Sequence, residues 1–364
     1  MQPVYLDHAA TSAPKSAAVI ARVEQYLKEE AISIGRGGYR RAIQLEQEIT
    51  QGRSRLARLL GAESSREIIF TGSGTAALNQ VLFGLQLRGG HVVRTALEHN
   101  SVLRPLAELE RKGKISCTVI PPEQNGQIDP DRFRAAFRPE TVLACCVQAS
   151  NVTGLLQPVK PICRAARERG IATLIDASQA VGHIPVNVQE IGCDFLAAPC
   201  HKGLRALTGT GFLYLRSGRE TRLEPRLFGG TGHQSELKYQ PEEMPDRFES
   251  GTHNVPGLLS LCAALSNEED KLILREAEQT AGLLKQLLTQ LERLPNLAVI
   301  HPKAPLQERI GVVSFQIPGQ DPRMIAAILD EYGQIEVRAG LHCSPETHQV
   351  LGTFQQGGTV RVSM

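Results

Sequence analysis

Short apolar runs alternate with amphipathic stretches over the first two thirds of the chain. The runs are rich in β-branched residues, which is typical of strands that are buried on both faces of a sheet. The amphipathic stretches repeat apolar residues at helical spacing. The predicted strands are Ile68–Phe70, His91–Leu97, Ile115–Ile120, Thr141–Gln148, Ile171–Ile175, Phe195–Ala198 and Phe212–Leu215, and the predicted helices are Val19–Leu27, Ala42–Leu60, Thr75–Leu87, Ser101–Lys112 and Val159–Arg169.

This alternation predicts an α/β fold in which a mostly parallel seven-stranded sheet is covered by helices on both faces. Beyond about residue 251 the rhythm changes, and we predict a large α/β domain over residues 15–250 and a small α+β domain formed by residues 1–14 and 251–364. In open parallel sheets, ligands bind at the carboxyl ends of the strands. The elements predicted after residue 251 are a long polar helix at about residues 268–294, a helix at Pro322–Tyr332, and the strands Leu297–Ile300, Val312–Ile317, Ile335–Arg338 and Thr359–Ser363.

The composition is that of an ordinary soluble globular protein. Of 364 residues, 41% are hydrophobic and 4% aromatic, and the net charge of +2 gives no reason to expect a nucleic acid or a membrane surface as partner. No apolar run reaches membrane-spanning length, and the first residues lack the pattern of a signal peptide, so we expect a cytoplasmic protein. The eight cysteines contain no C-x-x-C pair, which favours free thiols over disulfides or zinc ligands.

A lysine, Lys202, stands just beyond the end of the predicted strand Phe195–Ala198. Burial disfavours the charged form of a lysine, and only the neutral amine attacks a carbonyl. A lysine in this position either extends its amine to the solvent or forms a Schiff base with a carbonyl compound. The residues at the other strand ends decide between these interpretations.

A glycine-rich turn follows the predicted strand Ile68–Phe70 and opens a helix. The free N–H groups and the positive dipole at such a helix N-terminus favour binding of a phosphate. The spacing Gly72-x-Gly74-x-x-Ala77, with Glu98 about twenty residues later, also fits a dinucleotide-binding fingerprint. A nicotinamide-dependent oxidoreductase is therefore an alternative on this stretch alone.

Polar side chains follow three further predicted strands. His99 is placed to stack on a flat ligand, the amide of Asn151 can donate to an oxygen, and Asp176 is costly to bury without a cationic partner. Pyridoxal phosphate needs a lysine, an acidic partner for its ring nitrogen, a stacking ring, a phosphate cradle and a donor to its phenolic oxygen. A nicotinamide enzyme leaves Asp176 and Lys202 without a role. The strand ends supply the groups that pyridoxal phosphate needs as Lys202, Asp176, His99, the turn at residues 72–75 and Gln179.

Six blocks of the sequence carry further information: Tyr5–Thr11, Glu98-His99, Asp176–Gln179, His201-Lys202, Phe248–Asn254 and Arg338–Cys343. The first five resemble class V aminotransferase-fold enzymes, and the sixth narrows the resemblance to their cysteine desulfurase and selenocysteine lyase branch. The resemblance runs nearly from end to end. It implies a fold-type I homodimer with active sites near the subunit interface, pyridoxal phosphate as cofactor, and conversion of L-cysteine to L-alanine.

The resemblance also implies a role for each matching residue. Lys202 would hold the cofactor and move the substrate Cα proton, Asp176 would pair with the pyridinium, and His99 would stack on the ring. Gln179 and Asn151 would lie near the cofactor oxygen or the substrate. The phosphate would be bound by Gly74, Thr75 and His201 and, across a subunit interface, by Gly251-Thr252, while the substrate carboxylate would be bound by Arg361 and Arg338.

Cys343 is the residue that selects the chemistry in this branch. The resemblance implies that its thiolate attacks the substrate sulfur, becomes a persulfide and passes the sulfur to an acceptor protein. His342 and Arg338 are expected to favour the thiolate. The stretch from Cys343 to Arg361 is short, which resembles the group that depends on an acceptor partner. Cys200 is the competing nucleophile, but we expect it under the cofactor on a rigid strand end.

Some positions depart from the pattern of the family. Pro199 stands where many relatives have Ser or Thr, which removes one side-chain contact and one backbone donor to the phosphate. Selenocysteine lyase is the close alternative, and release of selenide is not expected to depend on Cys343. A nicotinamide-dependent oxidoreductase and a non-catalytic partner that keeps the fold are the alternatives from other classes.

Overall fold

The structure is a computed structural model, and it describes residues 3–35, 37–87, 89–232, 236, 238–265, 269–301 and 303–364. Helices and strands are labelled in chain order. Those before residue 220 are β1 (Val4–Tyr5), α1 (Ala17–Gln25), α2 (Arg40–Leu59), β2 (Ile68–Thr71), α3 (Gly74–Gly84), β3 (Gly90–Thr95), α4 (Asn100–Arg111), β4 (Ile115–Ile120), α5 (Pro130–Ala135), β5 (Thr141–Val147), α6 (Val159–Arg167), β6 (Ala172–Asp176), α7 (Val188–Ile191), β7 (Phe195–Pro199) and β8 (Gly211–Leu215). Those after it are α8 (Val255–Ala264), α9 (Glu269–Leu291), β9 (Ala298–Val299), β10 (Val312–Gln316), α10 (Pro322–Gly333), β11 (Ile335–Glu336), β12 (Arg338–Gly340), α11 (Pro345–Val350) and β13 (Thr359–Ser363).

A seven-stranded sheet in the order β2-β8-β7-β6-β5-β3-β4 forms the centre of the larger unit. β8 runs antiparallel to both of its neighbours, and all other neighbouring strands are parallel. The prediction of a mostly parallel seven-stranded sheet is confirmed.

Both faces of this sheet are covered by apolar cores. In β7, Leu196 and Ala198 belong to the core on one face, whereas Phe195 and Ala197 belong to the core on the other. All four side chains are fully buried. A strand with a core on each face needs a continuous apolar run, so its polar groups stand only at its end.

The C-terminal unit contains a four-stranded antiparallel sheet in the order β12-β13-β10-β9, against which α9 and α10 pack. The N-terminal strand β1 pairs in parallel with β11. A few residues later, the N–H of Ser12 donates to the carbonyl of His201 (3.0 Å). The N-terminal segment therefore connects the C-terminal unit to the end of β7.

Apolar periodicity does not predict helix α8, because this helix is apolar on nearly all sides. Val255, Leu259 and Leu261 are buried in the core that α2 also enters, so no polar face reveals the helical period. The predicted domain boundary after residue 250 stays a prediction, and this packing favours a boundary after α8. Of the helices that the structure describes, none combines the length and the apolar character that a membrane span requires.

The predicted strand Ile335–Arg338 is two strands in different sheets. β11 pairs with β1, and β12 pairs with β13, so the chain changes sheets at Val337. Apolar periodicity does not reveal such a change, because the backbone is extended on both sides of it. The consequence is that Cys343, which follows β12, is carried by the same sheet as Arg361 in β13.

Candidate active site

The carboxyl ends of the parallel strands β3, β5, β6 and β7 meet at one cavity. Parallel strands bring the residues that follow them to the same edge of the sheet. Predicted site residues from these strand ends and from the N-terminus of α3 line the cavity together. They are Lys202, His99, Asp176, Gln179, Asn151, Gly74, Thr75 and His201.

Lys202 lies just beyond the carboxyl end of β7 and lines the cavity. Burial lowers the pKa of its amine to about 8; the charge of Asp176 opposes this shift, and the charges of Arg361 and Arg338 add to it. Much of the amine is therefore neutral near pH 8, whereas an ordinary lysine is almost fully charged there. The neutral amine is the form that attacks a carbonyl.

Asp176 ends β6 and is 3% exposed. Its Oδ1 accepts a hydrogen bond from the N–H of Ser178 (2.9 Å), and the described residues provide no ion-pair partner for it. A buried carboxylate is costly without a cationic partner. The protonated nitrogen of a pyridine ring fits this gap, because it would supply the missing positive charge.

His99 is the N-cap residue of α4. Its Nδ1 accepts a hydrogen bond from the N–H of Ser101 (3.0 Å), so the neutral ring carries its proton on Nε2. Burial lowers the pKa of His99, against the opposing charge of Asp176. The hydroxyl of Ser101 lies 2.9 Å from His99 Nδ1 and 2.8 Å from the hydroxyl of Thr75. The ring is thereby linked to the first turn of α3.

The turn before α3 has the form of a phosphate cradle. Ser73 caps the helix by accepting from the N–H of Ala76 (3.1 Å), and the first N–H groups of a helix have no partner within it. A Cβ on Gly74 would lie 3.0 Å from Pro199 Cδ, and one on Gly211 would lie 2.4 Å from the carbonyl carbon of Ser73. At Gly211 the backbones approach so closely that only glycine fits, whereas a Cβ on Gly74 would require Pro199 to shift by a few tenths of an ångström.

His201 lines the same cavity beside this turn. Its Nδ1 lies 3.0 Å from the hydroxyl of Thr11. Burial lowers the pKa of His201 to about 4, and the charges of Lys202 and Lys15 add to the shift. The ring is therefore neutral near pH 7, and it would meet a phosphate through a hydrogen bond and not through a charge.

Gln179 leaves one polar atom unsatisfied. Its Nε2 donates to the carbonyl of Ala9 (2.9 Å), while its Oε1 is buried and has no partner in the part of the chain that the structure describes. Together with the uncompensated Asp176 and the glycine cradle, this atom indicates a site that the described residues do not complete alone. Pyridoxal phosphate fits it in charge, in phosphate contacts and in the position of the amine.

Arg361 and Arg338 share the carboxylate of Asp7. Arg361 Nη2 donates to Asp7 Oδ1 (2.6 Å), and Arg338 Nε donates to Asp7 Oδ2 (3.0 Å). Arg361 Nη1 donates to the carbonyl of Asn151 (3.1 Å), and its Nε is buried without a partner among the described residues. Sequence reasoning missed Asp7, although it is the one acidic residue of the block Tyr5–Thr11.

Cys343 is exposed, and its backbone is held beside the cavity. Asn151 Nδ2 donates to the carbonyl of His342 (2.6 Å), and Ser344 Oγ donates to Asn151 Oδ1 (2.8 Å). The N–H of Asn100, at the start of α4, donates to the carbonyl of Cys343 (2.7 Å). The amide of Asn151 therefore holds the cysteine segment in addition to lining the cavity.

The prediction that a charged His342 favours the thiolate of Cys343 is wrong. His342 is 6% exposed, and its Nε2 lies 3.0 Å from the hydroxyl of Thr359. Burial lowers its pKa well below the usual range, and the charges of Arg361 and His348 add to the shift. The ring is neutral near pH 7 and gives no positive charge to its neighbour.

Two competing assignments lose support in the structure. Cys200 is fully buried, and burial raises the pKa of its thiol to about 12, so it is not a ready nucleophile. Glu98, the acidic residue of the dinucleotide alternative, is fully buried as well. Its Oε1 accepts from the hydroxyl of Thr95 (2.6 Å) and from the N–H of Val147 (3.0 Å), and Glu98 does not line the cavity of Lys202.

Thr252 does not line the cavity of Lys202. It lines a separate open cavity together with Gly35, Thr50 and Arg53. The prediction that it binds the cofactor phosphate across a subunit interface stays a prediction. Within the ranges that the structure covers, no group of three or more His, Cys, Asp or Glu side chains is placed to hold a metal ion.

The chain is similar to known proteins over nearly its whole length. It matches the family Aminotransferase class-V over residues 4–364. It is 35% identical to a probable cysteine desulfurase of Methanothermobacter thermautotrophicus over 364 residues, which are 99% of this chain and 90% of that protein. It is 32% identical to the cysteine desulfurase IscS of Dictyoglomus turgidum, over 94% of this chain and 82% of that protein. The apo structure of a cysteine desulfurase from Thermococcus onnurineus NA1 has a TM-score of 0.89 at 31% identity and covers 100% of this chain and 90% of its own.

Proposed function

The chain belongs to the aminotransferase class-V family and is a pyridoxal-phosphate-dependent cysteine desulfurase, and from this premise we propose how its residues divide the reaction among them. The observation that carries the proposal is the single cavity shared by Lys202, Asp176 and His99, with Cys343 held beside it. Bound pyridoxal phosphate supplies an electron-withdrawing ring that stabilises negative charge on the substrate carbon next to it.

The residues around the cavity would hold the cofactor. Asp176 would pair with the ring nitrogen, His99 would stack on the ring, and Lys202 would be the point of covalent attachment. Gln179 would lie near the phenolic oxygen. The phosphate would be held by Gly74, Thr75 and His201 and by the partner subunit's Thr252.

Arg361 would bind the carboxylate of the substrate, with Arg338 beside it. A guanidinium binds a carboxylate best through two parallel N–H groups. Asp7 already accepts from Arg361 Nη2 (2.6 Å), and Asn151 accepts from Nη1. Asp7 would therefore orient the guanidinium, and the substrate carboxylate would complete its coordination.

Lys202 would take the proton from the substrate Cα, since a large fraction of its free amine is neutral near pH 8. The Cys343 thiolate would attack the substrate sulfur. An S–S bond forms as the Cβ–S bond breaks, and the electron pair of that bond stays on carbon. Protons delivered to carbon by Lys202 and by His99, whose Nε2 carries a proton, complete L-alanine. The sulfur remains as the Cys343 persulfide, and no external oxidant or reductant is consumed.

The variant Cys343→Ala tests this division. We expect alanine formation from L-cysteine, measured with a thiol reductant present, to fall below detection while the visible absorption of the lysine-bound cofactor is kept. Mass spectrometry of the cysteine-treated wild type should map a sulfur adduct to Cys343. Cys163→Ala, which removes a buried cysteine on α6, is the control and should leave both readouts unchanged. Full alanine formation in Cys343→Ala would contradict the persulfide route.

Selenocysteine is the second candidate substrate, because release of selenide from it does not require attack by the Cys343 thiolate. Comparison of both substrates in wild type and Cys343→Ala separates the two activities. Loss of activity on cysteine alone would identify a selenocysteine lyase activity that is independent of Cys343.

We propose that the protein acts as a homodimer in the cytoplasm. The persulfide sulfur of Cys343 would be transferred to a separate acceptor protein. Cys343 is exposed, but its segment is bonded to Asn151 and Asn100 and is followed at once by α11. A thiol that is held in this way does not swing far from its own site. An acceptor would therefore have to bring its own nucleophile to Cys343.

A further inference from the structure

An ion pair joins the helix that follows Cys343 to strand β3. Arg94 Nη1 and Nη2 donate to Glu346 Oε2 (2.5 Å) and Oε1 (2.8 Å). This two-pronged geometry fixes a guanidinium and a carboxylate relative to each other. Arg94 is 7% exposed, and neither residue lines the cavity of Lys202. The pair therefore has no direct part in the chemistry described above.

Two further contacts run beside this ion pair. The hydroxyl of Thr347 donates to the carbonyl of Ala96 (3.3 Å), and the carbonyl of Cys343 accepts from the N–H of Asn100 (2.7 Å). Residues 343–347 thus lie along residues 94–100, the stretch that carries His99. These contacts fix the segment of Cys343, the predicted nucleophile, relative to the segment of His99, the predicted stacking ring.

The backbone of the cysteine segment is held in a costly conformation. His342 and Cys343 have φ angles of 49° and 59°, in the left-handed region that few residues other than glycine adopt. Such a conformation persists only where surrounding contacts impose it. The contacts that impose it here are the Asn151 amide on one side of Cys343 and the contacts to residues 94–100 on the other.

We propose that Arg94 and Glu346 are positioning residues, whose ion pair keeps Cys343 in register with His99 so that the thiolate meets the substrate sulfur. The inference rests on the role proposed for Cys343. Displacement of a reacting atom by about 1 Å can cost roughly a hundredfold in rate even when the altered residue is remote from the chemistry. Loss of the pair should therefore slow sulfur transfer without weakening cofactor binding.

Two variants of the cofactor-loaded enzyme test the proposal. Glu346→Gln removes one charge, and the double variant Arg94→Met/Glu346→Leu removes both, so that no unpaired buried charge is left to prevent folding. Hydrogen exchange measured by mass spectrometry over residues 341–352 should be about tenfold faster in both. The kcat for alanine should fall about tenfold or more, while KM for cysteine changes less than about threefold and the cofactor absorption is kept. Glu123→Gln, which removes an exposed ion pair with Arg132 (2.6 Å), is the matched control and should change none of these.

Each other outcome overturns the proposal in a recognisable way. Unchanged exchange over residues 341–352 in both variants would show that the ion pair does not hold the segment. Faster exchange with unchanged alanine formation would show that register with His99 does not limit the reaction. In the second case Cys343→Ser separates the causes: an inactive Cys343→Ser enzyme means that only the positioning role fails, and an active one means that the proposed nucleophile fails.

Discussion

Burial selects the protonation state of the reactive side chains at the end of β7. It raises the pKa of the Cys200 thiol to about 12 and lowers the pKa of His201 to about 4 and that of Lys202 to about 8. The directions differ because burial disfavours the charged form, which is the anion of a thiol and the cation of a base. Of these three consecutive residues, only Lys202 titrates near the working range of most enzymes.

The shifted pKa of Lys202 predicts the pH dependence of cofactor attachment. Only the neutral amine reacts, so the rate at which apoenzyme takes up pyridoxal phosphate covalently should rise about tenfold per pH unit and level off above about pH 8. Stopped-flow absorption measures the lysine-bound chromophore, and Lys202→Ala, which should form none, is the control. A rate that still rises at about pH 10 would show an ordinary lysine pKa.

Glu98 predicts a pH dependence of folding stability. Burial raises its pKa from 4.5 to about 7, so the folded protein holds this proton more tightly than the unfolded chain. Its contribution to stability is complete below about pH 4.5 and is lost as the pH rises through about 7, which amounts to about 3 kcal/mol. Urea unfolding of apoenzyme across this range should show a smaller loss in Glu98→Gln, which keeps the acceptor for Thr95 and Val147. Identical pH profiles would contradict the prediction.

At the scale of elements, the phosphate turn before α3 depends on a glycine from another strand. A Cβ on Gly211 of β8 would lie 2.4 Å from the carbonyl carbon of Ser73 and 2.7 Å from the nitrogen of Gly74. Strand β8 is antiparallel to β2 and β7 and lies between them. The strand that breaks the parallel order therefore also supports the turn.

Substitution of Gly211 should weaken cofactor binding through this contact. Gly211→Ala would push the Ser73–Gly74 backbone away, and we expect the Kd for pyridoxal phosphate to rise about tenfold or more, since overpacking costs on the order of 1–3 kcal/mol. Absorption titration of apoenzyme measures it. Gly282→Ala in α9 is the matched control, because a Cβ there meets no atom within 4 Å, its φ needs no glycine, and it does not line the cavity of Lys202. Equal Kd values for the two variants would mean that the contact does not shape the turn.

At the scale of the whole molecule, the proposed homodimer predicts that Thr252 completes the active site of the other subunit. Thr252 lines an open cavity apart from that of Lys202 in the same chain. Homodimers of Lys202→Ala should be inactive, and those of Thr252→Ala should bind the cofactor weakly. Co-expression of the two variants should restore one intact site per heterodimer, with about half of the wild-type activity at low cofactor concentration. No recovery in the purified heterodimer would exclude a contribution of Thr252 across the interface.

The sequence by itself determined the central sheet and the set of polar residues that follow its parallel strands. Strands buried on both faces are near-continuous apolar runs, so β5, β6 and β7 and the polar residues after them could be identified locally. Strand β3 is an exception in part, because His91 and Arg94 are buried within it. Parallel strands end at one edge, and this rule alone predicts that Lys202, Asp176 and His99 lie together.

Only the tertiary structure decided which groups are paired and which are neutral. Asp7 and Arg361 are 354 positions apart in the chain, and Arg94 and Glu346 are 252 apart, so no local pattern connects them. The neutral state of His342 likewise depends on burial beside Thr359 and His348, which spacing does not show. Local periodicity records which face of an element is buried, whereas ion pairs and pKa shifts depend on distances between segments that meet only in the folded chain.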